Sequence, residues 1–204
     1  TDAYVARNDL VFEKKPGEKA LAKLSMKFNR QAQLKSGVAD LSGAELSGAA
    51  QINFSPSERE HWRLQLNEVS LKGNRVHGAV TRRSDNVYEG NLDIGRYDIT
   101  HAMAQKKIET AEKESTGLAI TANIGELTWG AKRKLVKTNL TLRHDGKNVQ
   151  ALYLSGNVRA KNPLLIDFQP TPAGYGLKIE ADDFGGALKA LDMARNVIGG
   201  KLKI

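Results

Sequence analysis

The sequence predicts a mainly β protein: a long antiparallel meander curled into a groove, or folded sandwich-like, with two short amphipathic helices. Three observations carry that expectation. Apolar and polar residues alternate with period two through most of the chain. Turn-forming residues, clearest at His144-Asp145-Gly146-Lys147, separate the alternating runs. The alternation breaks in two places, and helical spacing replaces it there.

The runs follow in order. Ala20, Ala22, Leu24, Met26 and Phe28 share one parity, with Lys23, Ser25, Lys27 and Asn29 on the other. Leu46, Ala50, Ile52 and Phe54 come next, opposite Gln51 and Asn53. Trp62, Leu64 and Leu66 follow, against Arg63, Gln65 and Asn67. Later runs are Leu118, Ile120, Ala122 and Ile124, then Val136, Leu140 and Leu142, then Leu152, Leu154 and Val158. Leu164, Ile166 and Phe168 form a shorter run, and Tyr175, Leu177, Ile179 and Ala181 close the series. Each places apolar groups on one face of a strand and polar groups on the other. Asp145-Gly146 suits the mirror-image turns that match strand twist. Lys72-Gly73-Asn74 and Ser84-Asp85-Asn86 are weaker turns of that kind, while Ser55-Pro56-Ser57-Glu58 and Pro170-Thr171-Pro172 mark looser loops. Sequential strands joined by tight turns make an antiparallel meander.

The first break runs from Asp98 to Ser115. Ile99, Ala102 and Met103 have helical spacing, Asp98 serves as cap, and Glu109 pairs with Lys113 one turn on. The second follows Asp182-Asp183, either of which can cap. Phe184, Leu188, Leu191 and Ile198 form an apolar stripe for packing on the sheet, Gly199 and Gly200 end the helix, and Lys201 to Ile204 alternates like a new strand. The chain therefore reads as one β-rich fragment over 1–204 that divides into two degenerate units, 1–115 and 116–204, each of strands followed by a helix. The plainer alternative is that acidic caps are common and the likeness is coincidence.

Composition narrows the function classes. A chain of 204 residues that is 40% hydrophobic but 6% aromatic builds a lean core. It has no cysteine, which rules out a disulfide framework and a thiolate metal site. The net charge of +8 suits nucleic acid, anionic lipid or acidic partners. That charge is spread along polar strand positions such as Lys23, Lys27, Arg63, Lys137 and Arg143, and is densest at Arg82-Arg83, Lys106-Lys107 and Lys132-Arg133-Lys134, the pattern of a solvated surface. No apolar run approaches membrane-spanning length, and the start lacks a signal-peptide pattern. A first residue other than Met and a last residue inside an alternating run point to an excised piece of something longer.

No catalytic centre assembles from the sequence, and an enzyme is not expected. His61, His77, His101 and His144 have no metal-ligand spacing, and His61 and His144 sit where exposure is the default. No Gly-x-Ser-x-Gly elbow or phosphate-binding loop occurs, so Ser42-Gly43 and Ser47-Gly48 read as turns. Glu180, Asp182 and Asp183 form the tight acidic cluster; without calcium-loop spacing, capping explains it before metal binding does. No metal or cofactor is therefore expected. Trp62 belongs to an apolar run and reads as core or groove lining, whereas Trp129, next to Gly130, is expected to be partly exposed. Aromatic and basic residues fall on opposite strand faces, which argues against base stacking and hence against nucleic acid.

The closing segment supplies a resemblance. Asp183, Gly186-Ala187, Leu188, Leu191 and Gly199-Gly200-Lys201-Leu202 form an acidic residue, a Gly-Ala step, spaced leucines and a Gly-Gly-x-Leu close between two strands. This resembles the AsmA-like envelope proteins (the AsmA/TamB superfamily) of Gram-negative bacteria. The resemblance implies a periplasmic fragment of a parent protein anchored in the inner membrane by an N-terminal helix. It implies a curved β-groove with an apolar lining, associated with phospholipid movement to the outer membrane and with outer-membrane biogenesis. In this chain the expected lining is Leu24, Met26, Phe28, Ile52, Phe54, Trp62, Leu64 and Leu66, then Ile120, Leu140, Leu142, Leu152, Leu154, Ile166, Leu177 and Ile179. The expected partner is phospholipid or another acyl-chain lipid, held by burial worth about 0.8 kcal/mol per methylene. Small residues such as Ala22, Ala50 and Ala122 would leave room for chains, and Asp at Leu140 or Leu154 is expected to harm lipid binding more than folding. Such a long apolar face can equally be closed as a sandwich or barrel, or stacked as a solenoid. The rival function is a structural or assembly module of the envelope without a lipid conduit.

Overall fold

Every alternating run named above between Ala20 and Ala181 lies in, or ends one residue beyond, a strand. The computed structural model describes residues 5–6, 13–14, 19–43, 46–55, 61–71, 74–83, 85–100, 116–129, 133–158, 161–183, 185–187 and 200–203. The chain packs as two compact units, Thr1–Ser84 and Asp85–Ile204.

The first unit contains a short antiparallel pair, β1 (Val5–Ala6) with β2 (Glu13–Lys14). Its main sheet is β3 (Ala20–Phe28), β4 (Leu34–Gly43), β5 (Leu46–Phe54), β6 (Trp62–Leu71) and β7 (Asn74–Arg82), each antiparallel to the next. Between β3 and β4, Asn29 closes the turn by accepting the N–H groups of Gln31 and Gln33 on its side-chain oxygen, both at 2.9 Å. A bulge interrupts β6, where Glu68 takes a φ of 50°. Gly48 of β5 lies against it: a Cβ there would sit 2.6 Å from the Glu68 carbonyl oxygen, so only glycine fits.

The second unit has β8 (Val87–Asp98), β9 (Gly117–Trp129), β10 (Arg133–His144), β11 (Val149–Asn157), β12 (Pro163–Thr171), β13 (Gly174–Ala181) and β14 (Leu202–Lys203), paired in that order. All pairs from β9 onward are antiparallel, but β8 and β9 are parallel, with Val87 opposite Gly117 and Asp98 opposite Thr128. The expectation of an antiparallel meander is corrected here. A parallel pair needs a crossover of a dozen or more residues, and the stretch that breaks the alternation separates these two strands. In this unit the seven strands form one open sheet rather than two facing layers.

The expectation of two helices is also corrected. Among the described residues helical structure is one short turn at 185–187 and the single position Thr100. β8 continues through Asp98, and the Ile99 N–H still donates to the Thr128 carbonyl at 3.0 Å. The Asp98 carboxylate does accept the Thr100 N–H at 2.8 Å, but residues 101–115 of the expected helix lie outside the described ones. At the second site the cap is Asp183, not Asp182. Its carbonyl accepts the Ala187 N–H at 2.8 Å, its Oδ1 accepts the Gly186 N–H at 2.8 Å, and Asn162 Nδ2 donates to its Oδ2 at 3.1 Å. A side chain on Gly186 would collide with that carboxylate.

Pro170-Thr171-Pro172 is tighter than a loose loop. Pro170 and Thr171 end β12, and Thr171 faces Gly174 across a two-residue turn. Pairing of β12 with β11 ends at Phe168, so no ladder bond is asked of Pro170 on that side.

The core lies in the second unit: Ala122, Ile124, Leu127, Trp129, Leu135, Leu164, Ala181 and Ala187 pack together. Trp129 is buried, contrary to the exposure expected from its neighbour Gly130. The reason is a change of phase. Burial falls on Ala122 and Ile124, then on Leu127 and Trp129, and across the pair on Leu135 and Thr138. The shift coincides with Lys137, held at a φ of 51° where β10 bulges against β11, and with Gly125, whose Cβ would lie 2.6 Å from the Gly95 carbonyl oxygen. Leu135 and Leu164 are fully buried, each contributing about 2 kcal/mol.

Candidate functional site: an apolar sheet face

Strand registers sort the apolar side chains into cross-strand rows. In the second unit one row runs Ile94, Ile124, Thr138, Gly156, Leu164, Ala181. The next is Leu92, Ala122, Leu140, Leu154, Ile166, Ile179. The third is Gly90, Ile120, Leu142, Leu152, Phe168, Leu177. Neighbours within a row lie opposite one another and stabilise the sheet pair by pair. None of these side chains is ionisable. The one hydroxyl, on Thr138, is buried without a hydrogen-bond partner among the described residues.

Burial is graded across the rows. The first is nearly sealed; the second packs partly against the core; in the third, Leu177 is 55% exposed. Beyond it Tyr175 stacks on Phe168 with ring centroids 5.0 Å apart, and the Tyr175 hydroxyl donates to Gln150 Oε1 at 2.7 Å. Past the sealed end, where the burial phase shifts, charge lies between the buried positions: Glu126 receives Arg96 Nε at 2.9 Å and Lys134 Nζ at 2.9 Å. These bonds, from Lys134 first and then Arg96, hold its carboxyl below the usual range.

The first unit repeats the arrangement. Met26, Gly37, Ile52, Leu64 and Val80 form one row, and Leu24, Ala39, Ala50, Leu66 and Gly78 the next. Phe54 and Trp62 are opposite one another at the end of the same face, with Phe28 closing it on β3. This face is more open: Leu24, Met26 and Phe28 are 65%, 56% and 58% exposed.

All sixteen residues expected to line a groove thus share the apolar face of their own unit: eight on β3, β5 and β6, and eight on β9 to β13. Ile120, Leu140, Leu154, Ile166 and Ile179 are the more enclosed of these, packed against the core. Phe184, Leu188, Leu191 and Ile198 lie outside the described residues. Sequence reading missed the contributions of β4, β7 and β8, among them Leu41, Val80, Leu92 and Ile94. Their inward positions include Gly37, Gly78 and Gly90, which interrupt the apolar signal that alternation depends on.

Among the described residues, no group of three or more His, Asp and Glu side chains is placed to hold a metal ion. His144 ends β10, and its Nδ1 accepts the Gly146 N–H at 2.8 Å, a turn contact. Comparison of the chain with protein-family models, with characterised proteins and with solved structures found no match.

Proposed function

We propose that the protein is a non-catalytic lipid-binding segment that receives acyl chains on the apolar sheet face of each unit. In this reading it belongs to a bridge-like periplasmic protein, anchored at the inner membrane, that carries phospholipid between the two membranes of a Gram-negative envelope. One observation supports it above the rest: the apolar side chains form in-register rows, free of ionisable groups, that stay partly exposed. A soluble surface tolerates such a patch poorly unless something occupies it. Acyl chains laid along the rows would gain about 0.8 kcal/mol per methylene, and headgroups would remain in water. The Gly and Ala positions within the rows, such as Gly37, Ala39 and Ala50, supply depth.

Leu24→Asp and Leu177→Asp test the reading better than changes at Leu140 or Leu154, which also support the core. Both are more than half exposed, so folding should change by no more than about 0.5 kcal/mol. The purified protein should release phospholipid on solvent extraction, seen by mass spectrometry. Each variant should bind a fluorescent phospholipid several-fold more weakly at an unchanged melting temperature. Lipid-free protein, or variants that bind as well as the parent, would overturn the proposal.

The scaffold reading has one observation of its own. Among the described residues β3 pairs on one side only, and all its residues are exposed, as a strand that adds to a partner sheet would be. In the same experiment it yields a protein without lipid.

A further inference from the structure

The other face of the second unit carries a shallow depression of about 430 Å³. It is built around Ser155, in the middle of β11. The short serine leaves a gap between Tyr153 and Asn157, which share its face about 7 Å away on either side. Across the sheet Ser155 is opposite Asn139 of β10 and Leu165 of β12, and Leu165 is opposite Glu180 of β13. Lys137 and Asp182 complete the rim.

The lining combines the Tyr153 ring and the aliphatic residues Pro163, Leu164, Leu165 and Ala181 with amides, a hydroxyl and carboxylates. Tyr153 is 41% exposed and presents its ring beside these polar groups. The Asn139 amide meets the Ser155 hydroxyl at a long 3.4 Å, a contact easily exchanged for a ligand. Glu180 Oε1 is held by Lys178 at 3.3 Å and Lys203 at 3.4 Å, which fixes the carboxylate at the rim. Lys137 stands at the bulge of β10, where its backbone takes a φ of 51°.

This chemistry selects among ligands. An acyl chain would bury the amides and carboxylates without partners. A phosphate would meet the Glu180 and Asp182 carboxylates, and the lysines beside them, Lys178 and Lys203 at Glu180 and Lys201 at Asp182, are already paired with those carboxylates. A pyranose ring suits the site: its C–H face lies on an aromatic ring, and its rim of hydroxyls takes amide donors and carboxylate acceptors. We propose that the Tyr153 depression binds a sugar ring of a neutral saccharide. The site lies on the opposite face from the lipid rows and does not depend on the lipid reading.

The test is a titration of the isotope-labelled full chain with neutral trisaccharides of glucose and of N-acetylglucosamine, followed by amide chemical shifts. Saturable shifts should centre on Tyr153, Ser155, Asn157 and Leu165, with the roughly millimolar Kd of a shallow site. Tyr153→Ala should weaken binding about tenfold at an unchanged melting temperature, while Leu177→Asp on the other face should leave it unaltered. Silence with both sugars at about 20 mM, equal binding by Tyr153→Ala, or the same shifts produced more readily by inorganic phosphate would each overturn the assignment.

Discussion

Asp145 organises the turn between β10 and β11 with one carboxylate. Its Oδ1 accepts the N–H groups of Asn148 at 2.7 Å and Lys147 at 2.8 Å, while Gly146 takes the left-handed φ of 97°. Those backbone bonds, first from Asn148 and then from Lys147, hold the carboxyl below the usual aspartate range, with Gln150 adding to them. Because the folded pKa is depressed, the turn's contribution is complete above the unfolded pKa and is lost as pH falls through the folded one. An acid titration should therefore show the Lys147 and Asn148 amide resonances moving together, with a midpoint below that of an unperturbed aspartate. Asp145→Asn should abolish that step, and a midpoint at or above the ordinary value would show that the two bonds do not form in solution. Asp183 works by the same physics at a helix start, where it alone of the acidic cluster acts as the cap.

At the scale of the strands, large side chains made the sequence legible and glycines hid the rest. β9 to β13 each carry two or three leucines or isoleucines at alternating positions, and their existence and inward faces could be read directly. β4, β7 and β8 escaped because Gly37, Gly78 and Gly90 occupy inward positions, where register rather than hydropathy places them. The rows could not be read either. Alternation gives the face of each strand but not its partner, so the lining was visible strand by strand while its alignment was not. Trp129 was misread because its neighbour Gly130 suggested an exposed turn, whereas the burial phase shifts past Gly125 and turns the ring inward. Gly125 should accordingly tolerate no side chain. Its Cβ would meet the Gly95 carbonyl oxygen at 2.6 Å, backbone against backbone, so β8 and β9 would have to separate. Gly125→Ala should cost about 2 kcal/mol in denaturant unfolding, while Thr121→Ala, exposed on the same strand, should stay within about 0.5 kcal/mol. A mild Gly125→Ala would mean the two strands approach less closely than this.

Over the whole molecule, burial is unevenly shared. Every residue of the core cluster belongs to the second unit, whereas no described residue between 19 and 83 is buried. A sheet with little buried apolar area gains little against the entropy of ordering its chain. The segment 85–204 should thus unfold cooperatively by itself, with one sharp thermal transition in circular dichroism and dispersed amide resonances. The segment 1–84 alone should melt broadly and bind a dye for exposed apolar surface; a sharp transition there would show that its sheet is self-sufficient. The parallel pair has a kinetic consequence. The four hairpins from β9 to β13 close across short turns and can zip rapidly, each from its own turn. β8 and β9 share no such turn: the first ladder partners, Val87 and Gly117, meet only after the chain between them has looped back, an entropic toll settled before any bond rewards it. The slowest step in assembling this unit should therefore be the docking of β8, and a nascent chain would hold a zipped β9–β13 ribbon whose first strand is still searching for its place.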